Sequence, residues 1–213
     1  VTDDTDALQT AINSACKTNR ALYFPNGAYL ISSPLTLPLL TGYSTRGCNL
    51  IGEYGRGPEG AVGLSARIVA DTALGTSAMI YMESGSYGHI SNIAFTGRGT
   101  GYPNTTYTTA IHMNQGNTRL YVDNCEFANM DVVVKTGIAN ESSNLTDDKF
   151  TFYQCEIRFC NYVFDINNTE SYGAKLVDSQ VYNCGVLYFC QPNASVSDNV
   201  VASFSAIDCP LID

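Results

Sequence analysis

The feature of this sequence that most constrains its fold is a motif that recurs through its second half. The copies align without gaps as VDNCEFANMDVVV (residues 122–134), YQCEIRFCNYVF (153–164), DSQVYNCGVLY (178–188) and FSAIDCPLI (204–212), with a weaker copy, ISNIAFTG, at 90–97. The first shared column holds Ile93, Cys125, Cys155, Ser179 and Phe204, at steps of 32, 30, 24 and 25 residues. This interval is typical of one coil of a parallel β-solenoid, whose coils bury their apolar sides against their neighbours.

Alternation within the copies predicts which side chains face the core. Cys125 and Phe127 lie two residues apart on one side of a strand, whereas Glu126 between them points to the other side. A second inward column, five residues after the first, holds Met130, Cys160, Cys184 and Cys209. We therefore expect the Cys columns to be mainly small apolar core residues in a ladder, and we do not expect the eight cysteines to form a disulfide framework. Stacked cysteines of adjacent coils would still lie within bonding distance of each other.

A further column indicates a bend in each coil. Its members are Asn129, Phe159, Asn183 and Asp208. Asn and Asp side chains satisfy a turning backbone through local hydrogen bonds, so we expect an incomplete amide ladder at this corner. Residues 98–118 and 136–149 are polar and rich in turn formers, and they are predicted to be loops that leave one corner. Insertions of this kind often form the binding face of a solenoid.

The chain begins with a pattern of a different period. Apolar residues of DALQTAINSACK recur at helical spacing, which predicts an α-helix over residues 5–17. Asp3, Asp4 and Asp6 lie at its start. We interpret them as groups that cap the helix and complement its dipole, rather than as a catalytic or metal-binding cluster. The following stretches, RALYFPNGAYLISSPLTLP and CNLIGEYG, predict short strands separated by turns.

These N-terminal stretches resemble the N-terminal signature of the pectate-lyase-like right-handed parallel β-helix superfamily, which includes phage tailspikes and capsule depolymerases. The resemblance is close over about residues 1–55, and the coil repeats extend it to residue 213. It implies an all-β, single-stranded, right-handed parallel β-helix, with a capping helix within residues 1–20 and coils over 21–213 of one domain. Family members usually carry Gly-Asp-Gly before VTDDTDA, and the last copy lacks a polar cap, so we expect a fragment of a longer chain.

The outward column suggests a candidate site. Glu126 and Glu156 share a register on neighbouring coils, and retaining glycosidases hold their two carboxyl groups about 5–5.5 Å apart. We therefore consider a hydrolytic dyad or a cation site, with Arg158 and Tyr182 nearby for contacts with sugars. The alternative is that both glutamates are solvated charges on the outside of a sheet. In the insertions, Tyr102 and Tyr107 are expected to stack on sugar rings or to pack against a neighbouring subunit.

The charge and the hydropathy of the chain argue against two other classes of protein, nucleic-acid binders and membrane proteins. The chain has 11 Lys and Arg against 20 Asp and Glu, a net charge of −9, which argues against nucleic-acid binding. No apolar run is long enough for a transmembrane helix, so membrane insertion is not expected. Neither histidine has a Cys or carboxylate neighbour at metal-ligand spacing. No cofactor is therefore expected, and although a calcium ion would be compatible with the fold, no residues indicate one.

By resemblance, the function would be that of a tailspike-like homotrimer, in a virion tail or extracellular, that recognises and in some members depolymerises a cell-surface polysaccharide. Two alternatives remain open. One is a secreted enzyme similar to pectate lyases or polygalacturonases, and the other is a structural virion or adhesin module without catalysis. The paired-aspartate and Gly-His-Gly motifs of polygalacturonases and the calcium cluster of pectate lyases are missing from the sequence. Lyase and hydrolase chemistry are therefore not distinguished.

Overall fold

The structure is a computed structural model that describes residues 2–38, 47–54, 66–83, 86–113, 119–137, 148–167, 171–190, 196–197 and 201–207. Helix α1 (Thr5–Lys17) is followed by coils of three strands each. The first three coils comprise β1 (Ala21–Phe24), β2 (Gly27–Ile31) and β3 (Leu35–Leu37); β4 (Cys48–Gly52), β5 (Ala66–Ala70) and β6 (Ala78–Met82); and β7 (Tyr87–Ser91), β8 (Ala94–Thr96) and β9 (Thr109–Met113). A short 3-10 turn, Thr72–Leu74, lies between β5 and β6.

The next coils continue the same order. They comprise β10 (Arg119–Asp123), β11 (Glu126–Ala128) and β12 (Val132–Thr136); β13 (Asp148–Tyr153), β14 (Glu156–Arg158) and β15 (Tyr162–Ile166); and β16 (Ser171–Tyr182) with β17 (Val186–Cys190). Strands β18 (Val196–Ser197) and β19 (Val201–Ile207) both pair with β16. The predicted helix is confirmed at both ends, and the predicted loop at 98–118 is wrong in part because β9 lies within it.

Parallel pairing between coils builds three faces. Face A contains β1, β4, β7, β10 and β13, face B contains β2, β5, β8, β11 and β14, and face C contains β3, β6, β9, β12, β15 and β17. The long strand β16 runs through the corner from face A to face B and pairs with both β13 and β14. The predicted right-handed parallel β-helix is therefore confirmed.

The register of face B agrees with the repeat alignment. Glu126 lies opposite Glu156, and Ser179 lies opposite Phe204, as the sequence columns require. The alignment missed the coil that precedes the copy at 90–97, in which Arg67 occupies the outward column and pairs with Ala94. In the first column this coil carries Ala66 where two later copies carry Cys125 and Cys155.

The inward columns form a continuous apolar core. Phe127 stacks on Phe95 with ring centroids 5.1 Å apart and contacts Phe152 at 5.4 Å. The ladder of thiols is confirmed within the described residues, since Cys125, Cys155, Cys160 and Cys184 are buried and form no disulfide. Burial raises the pKa of Cys155 to about 12, so this thiol is a core group rather than a nucleophile. Cys209 lies outside the described residues.

The bend column is confirmed as the corner between faces B and C. Asn129, Phe159 and Asn183 adopt the left-handed conformation, with φ of 60°, 56° and 49°. The side chain of Phe159 has no amide group, so the ladder of amides is interrupted at this coil, as expected. Asp208 lies outside the described residues.

A second amide ladder, which the alignment missed, forms the corner between faces A and B. Asn92 and Asn124 have φ of 57° and 48°, and Asn124 Nδ2 donates to Asn92 Oδ1 at 2.6 Å. Such single-residue turns explain how strands of three to five residues can close a coil.

The acidic residues at the N terminus begin the helix and also fasten it to the solenoid. Asp3 Oδ1 accepts from the Thr5 amide at 3.0 Å, and Asp4 Oδ2 accepts from the Leu30 amide of β2 at 3.0 Å. Hydrogen bonds from Ser32 and Thr5 lower the pKa of Asp3 to about 2. Capping is thus performed by Asp3, because the N-cap residue Asp4 makes no side-chain capping bond.

Helix α1 packs against β1, β3 and β4 through a buried stripe that includes Leu8, Ile12 and Cys16. Cys16 forms a disulfide with Cys48 of β4. Neither cysteine of this bridge belongs to the Cys columns that were expected to form the core ladder. Both are buried, but one lies on the helix, outside the coil repeat, where alignment of coils cannot pair it.

Candidate functional site

The outward side chains of β11, β14 and β16 form a polar surface on face B. The parallel register stacks Glu126 on Glu156 and Glu156 on Gln180, and it stacks Arg158 on Tyr182. We call this set the glutamate groove. The five residues belong to three successive strands of one sheet, so a rigid backbone holds their relative positions.

Arg158 lies between the two glutamates. Its Nη1 is 3.2 Å from Glu156 Oε1, and its Nη2 is 3.6 Å from Glu126 Oε2. The exposed fraction is 23% for the Arg158 side chain, 15% for Glu126 and 31% for Glu156. The guanidinium therefore offsets the repulsion between two carboxylates that adjacent strands hold about 4.8 Å apart at the backbone.

Two depressions flank Glu126. One, of about 220 Å³, is lined by Glu126, Glu156, Gln180 and the corner residues Asn124, Gln154 and Asp178. The other, also of about 220 Å³, lies toward Arg67 and is lined by Arg158 and Phe159. The glutamate groove thus continues across several coils, parallel to the solenoid axis, and presents carboxylate, amide and guanidinium groups to solvent.

The three tyrosines proposed for contacts with sugars lie in different places. Tyr182 lies in the glutamate groove, and its hydroxyl donates to Gln180 Oε1. Tyr102 lies at the corner between faces B and C, against Gly185, where an added Cβ would be 2.8 Å from Tyr102 Cε2. Tyr107 belongs to face C. The structure therefore divides the six predicted residues between two surfaces and a corner.

Face C holds a separate cavity, of about 420 Å³, which the sequence reasoning missed. We call it the aromatic pocket. Its lining combines aromatic rings, two carboxylates and one ammonium group: Thr76, Tyr107, Thr109, Asp131, Val132, Lys135, Tyr162, Asp165 and Phe189. Lys135 and Asp165 are in register on adjacent strands. An extension of the repeat alignment along face C would have shown this pairing.

The carboxylates of the aromatic pocket differ in environment. Asp165 is buried and pairs with Lys135, with Oδ2 and Nζ 3.9 Å apart. Burial raises the pKa of Asp131, although Asn161 Nδ2 donates to its Oδ1 at 2.9 Å and opposes this rise. Burial of Asp131 therefore favours the protonated form of its carboxyl group.

Face A carries a third group of polar side chains. His89 pairs with Asp123, which lies on the next coil, and its ring contacts Tyr121 with centroids 5.4 Å apart. Arg119 lies over the Tyr87 ring at 5.7 Å. The carboxylate beside His89 is 34 residues away in sequence, which is why spacing did not reveal it.

Two further results bear on cofactors and membranes. Within the ranges described, no group of three or more His, Cys, Asp or Glu side chains is arranged to hold a metal ion. Helix α1, with 13 residues, is too short to cross a bilayer, and no other described segment forms a helix able to do so.

Comparisons with known proteins find one matching family and a similar solved structure. The family model described as "Rhamnogalacturonase A/epimerase, pectate lyase-like" matches residues 1–189. The crystal structure of a proposed glycosyl hydrolase from Parabacteroides merdae is similar to this chain, with a TM-score of 0.48 and 12% sequence identity. The match covers 99% of this chain and 92% of that chain. A comparison with curated proteins finds no match.

Proposed function

Because the chain belongs to the rhamnogalacturonase A/epimerase family of pectate-lyase-like proteins, we propose that it binds a polysaccharide in the glutamate groove. Proteins of this family act on polysaccharides. The observation that supports this location is the register that stacks Glu126, Glu156 and Gln180 in one column of face B. Carboxylate and amide groups in a row suit the hydroxyl groups of an extended glycan, which recur along a chain as these side chains recur along the solenoid.

Each member of the glutamate groove has a proposed role. Glu126 and Glu156 accept hydrogen bonds from hydroxyl groups, and bonds to charged acceptors are the stronger kind. Arg158 donates to ring or hydroxyl oxygens, while Tyr182 offers an aromatic face at the rim. Because strands hold all these groups, little ordering entropy is lost on binding.

The same glutamates are the proposed catalytic pair if the glycan is cleaved. Hydrolysis requires one carboxyl group that carries a proton and one that is ionised. In the structure both glutamates contact Arg158. A neighbouring guanidinium stabilises an ionised carboxylate rather than a protonated one. Cleavage at this site therefore requires a substrate that separates Arg158 from one glutamate.

The test uses Glu126→Gln and Glu156→Gln, with Asp6→Asn as a matched control because Asp6 is exposed on α1. Binding to capsular and pectin-like polysaccharides is measured by calorimetry, and cleavage is followed by release of reducing ends. Each Gln variant should weaken binding roughly 10–100-fold, as expected for a lost charged hydrogen bond. A catalytic pair predicts a further loss of turnover, and unchanged binding in both variants would refute the proposed site.

We further propose, from the resemblance to tailspikes, that the chain acts as part of a homotrimer at a virion tail or outside the cell. The alternatives are a secreted monomeric enzyme and a non-catalytic virion or adhesin module. Light scattering distinguishes them, because a trimer has three times the 23.0 kDa mass of the chain. A monomer that cleaves a glycan favours the secreted enzyme, and an assembly without binding or cleavage favours the structural module.

A further inference from the structure

The aromatic pocket of face C is not part of the glutamate groove. Its volume, about 420 Å³, falls within the range of roughly 300–1,000 Å³ found for small-molecule sites. Faces B and C meet at a corner, so the outward side chains of the two faces point in different directions.

Three aromatic rings shape the pocket. Tyr162 on β15 and Phe189 on β17 are neighbours, with ring centroids 5.2 Å apart and planes tilted by 46°. Tyr107 also lines the pocket, and it is 64% exposed. Aromatic rings expose broad flat areas at a small cost in side-chain entropy, and this suits the apolar face of a sugar ring.

A single asparagine positions two members of the pocket. Asn161 Oδ1 accepts a hydrogen bond from the backbone N–H of Asn104 at 2.7 Å, and Asn161 Nδ2 donates to the backbone carbonyl of Asn104 at 2.7 Å. The same Nδ2 donates to Asp131. Asn161 therefore anchors the segment that leads to Tyr107 and also orients the Asp131 carboxylate.

The charged side chains of the pocket disfavour the binding of an anionic sugar. Asp131 and Asp165 contribute two carboxylates, whereas Lys135, which pairs with Asp165, is the one cation among the described residues of the lining. An acidic sugar would meet a net negative site, whereas an uncharged sugar would offer hydroxyl donors to Asp131.

From this arrangement we propose that the aromatic pocket is a second saccharide site, which takes an uncharged sugar ring. Tyr107, Tyr162 and Phe189 contact the face of the ring, and Asp131 accepts hydrogen bonds from its hydroxyl groups. The site lies outside the glutamate groove, so it does not depend on the function proposed for face B.

The experiment titrates the whole chain with cellotetraose, maltotetraose and chitotetraose as uncharged probes and with tetragalacturonate as an anionic probe. Affinity is measured by calorimetry, and circular dichroism checks the fold of each variant. The variants are Tyr107→Ala, which changes an exposed side chain, and Asp131→Asn. Tyr23→Ala is the matched control, because Tyr23 is 54% exposed on face A, and Glu126→Gln reports on the glutamate groove.

We expect an uncharged probe to bind, and Tyr107→Ala and Asp131→Asn each to weaken it about tenfold. Tyr23→Ala should leave this affinity unchanged, and Glu126→Gln shows whether the probe binds in the glutamate groove instead. The proposal is overturned if no uncharged probe binds, if Tyr107→Ala binds it as well as the parent chain, or if the loss follows Glu126→Gln instead. Binding of tetragalacturonate that depends on Tyr107 would overturn the assignment to uncharged sugars.

Discussion

Replacing Arg158 by Met should destabilise the solenoid mainly by leaving Glu126 and Glu156 face to face. Methionine keeps an apolar stem of similar length, so the packing of the side chain along face B is largely retained. What is lost is the guanidinium, whose nitrogens lie 3.2 and 3.6 Å from the two carboxylates. The two glutamates remain in register on adjacent strands.

The size of the effect follows from distance and burial. Two unit charges about 4 Å apart interact by about 1 kcal/mol in water and about 4 kcal/mol at an effective dielectric constant near 20. Exposed ion pairs contribute about 0–1 kcal/mol, and these three side chains are only partly exposed. We therefore expect Arg158→Met to lower the free energy of unfolding by about 1–2 kcal/mol, and the melting temperature by about 2–8 °C.

A double-mutant cycle isolates the electrostatic part. Glu156→Gln removes one of the two facing charges, so its combination with Arg158→Met should cost about 0.5–1 kcal/mol less than the sum of the single changes. Unfolding in urea is followed by circular dichroism at low ionic strength and again near 1 M salt, where screening should shrink the coupling. Arg20→Met, at an exposed arginine after α1, is the control. Additivity within about 0.3 kcal/mol, or a coupling insensitive to salt, would refute the reasoning.

Three further predictions concern the scaffold. Phe127→Ala should cost about 3–5 kcal/mol in urea unfolding because it leaves a cavity in the fully buried ring stack, whereas Tyr121→Ala, at a partly exposed ring, should cost under about 0.5 kcal/mol. Replacing Cys16 and Cys48 by Ala opens a bridge across 32 residues and should cost roughly 3–4 kcal/mol, and equal melting temperatures with and without reductant would contradict this. Asp3 has a folded-state pKa of about 2 against an ordinary 3.8, so its contribution is complete above about pH 4 and is lost as the pH falls toward 2. Stability curves of the parent chain and Asp3→Asn should therefore converge at low pH.

Sequence reasoning succeeded where a pattern repeats. The column of Glu126 and Glu156 was predicted correctly because alternation along a strand and repetition between coils are independent signals that agree. The superfamily resemblance is confirmed by the family match over residues 1–189. The roles assigned to these glutamates, the homotrimer and the virion or extracellular location stay predictions.

The contacts that periodicity could not reveal have physical causes that are equally specific. Tyr102 and Tyr107 belong to an insertion whose path depends on the hydrogen bonds between Asn104 and Asn161, 57 residues apart. The disulfide joins a helix to a coil, and no coil repeat contains both partners. Such contacts depend on how unlike elements dock, which a periodic pattern does not encode.

By itself, the sequence determined the period of the coil, the inward and outward sides of each strand, and the helix at residues 5–17, because each of these follows from local spacing. Only the tertiary structure decided which outward side chains share a surface. Left-handed residues such as Asn124 and Asn129 turn the chain between faces, and these turns place the glutamates with Arg158 on face B and Asp131 with Tyr107 on face C. A residue's face depends on the angle at each corner and on the stacking of distant coils, and both are properties of the folded chain.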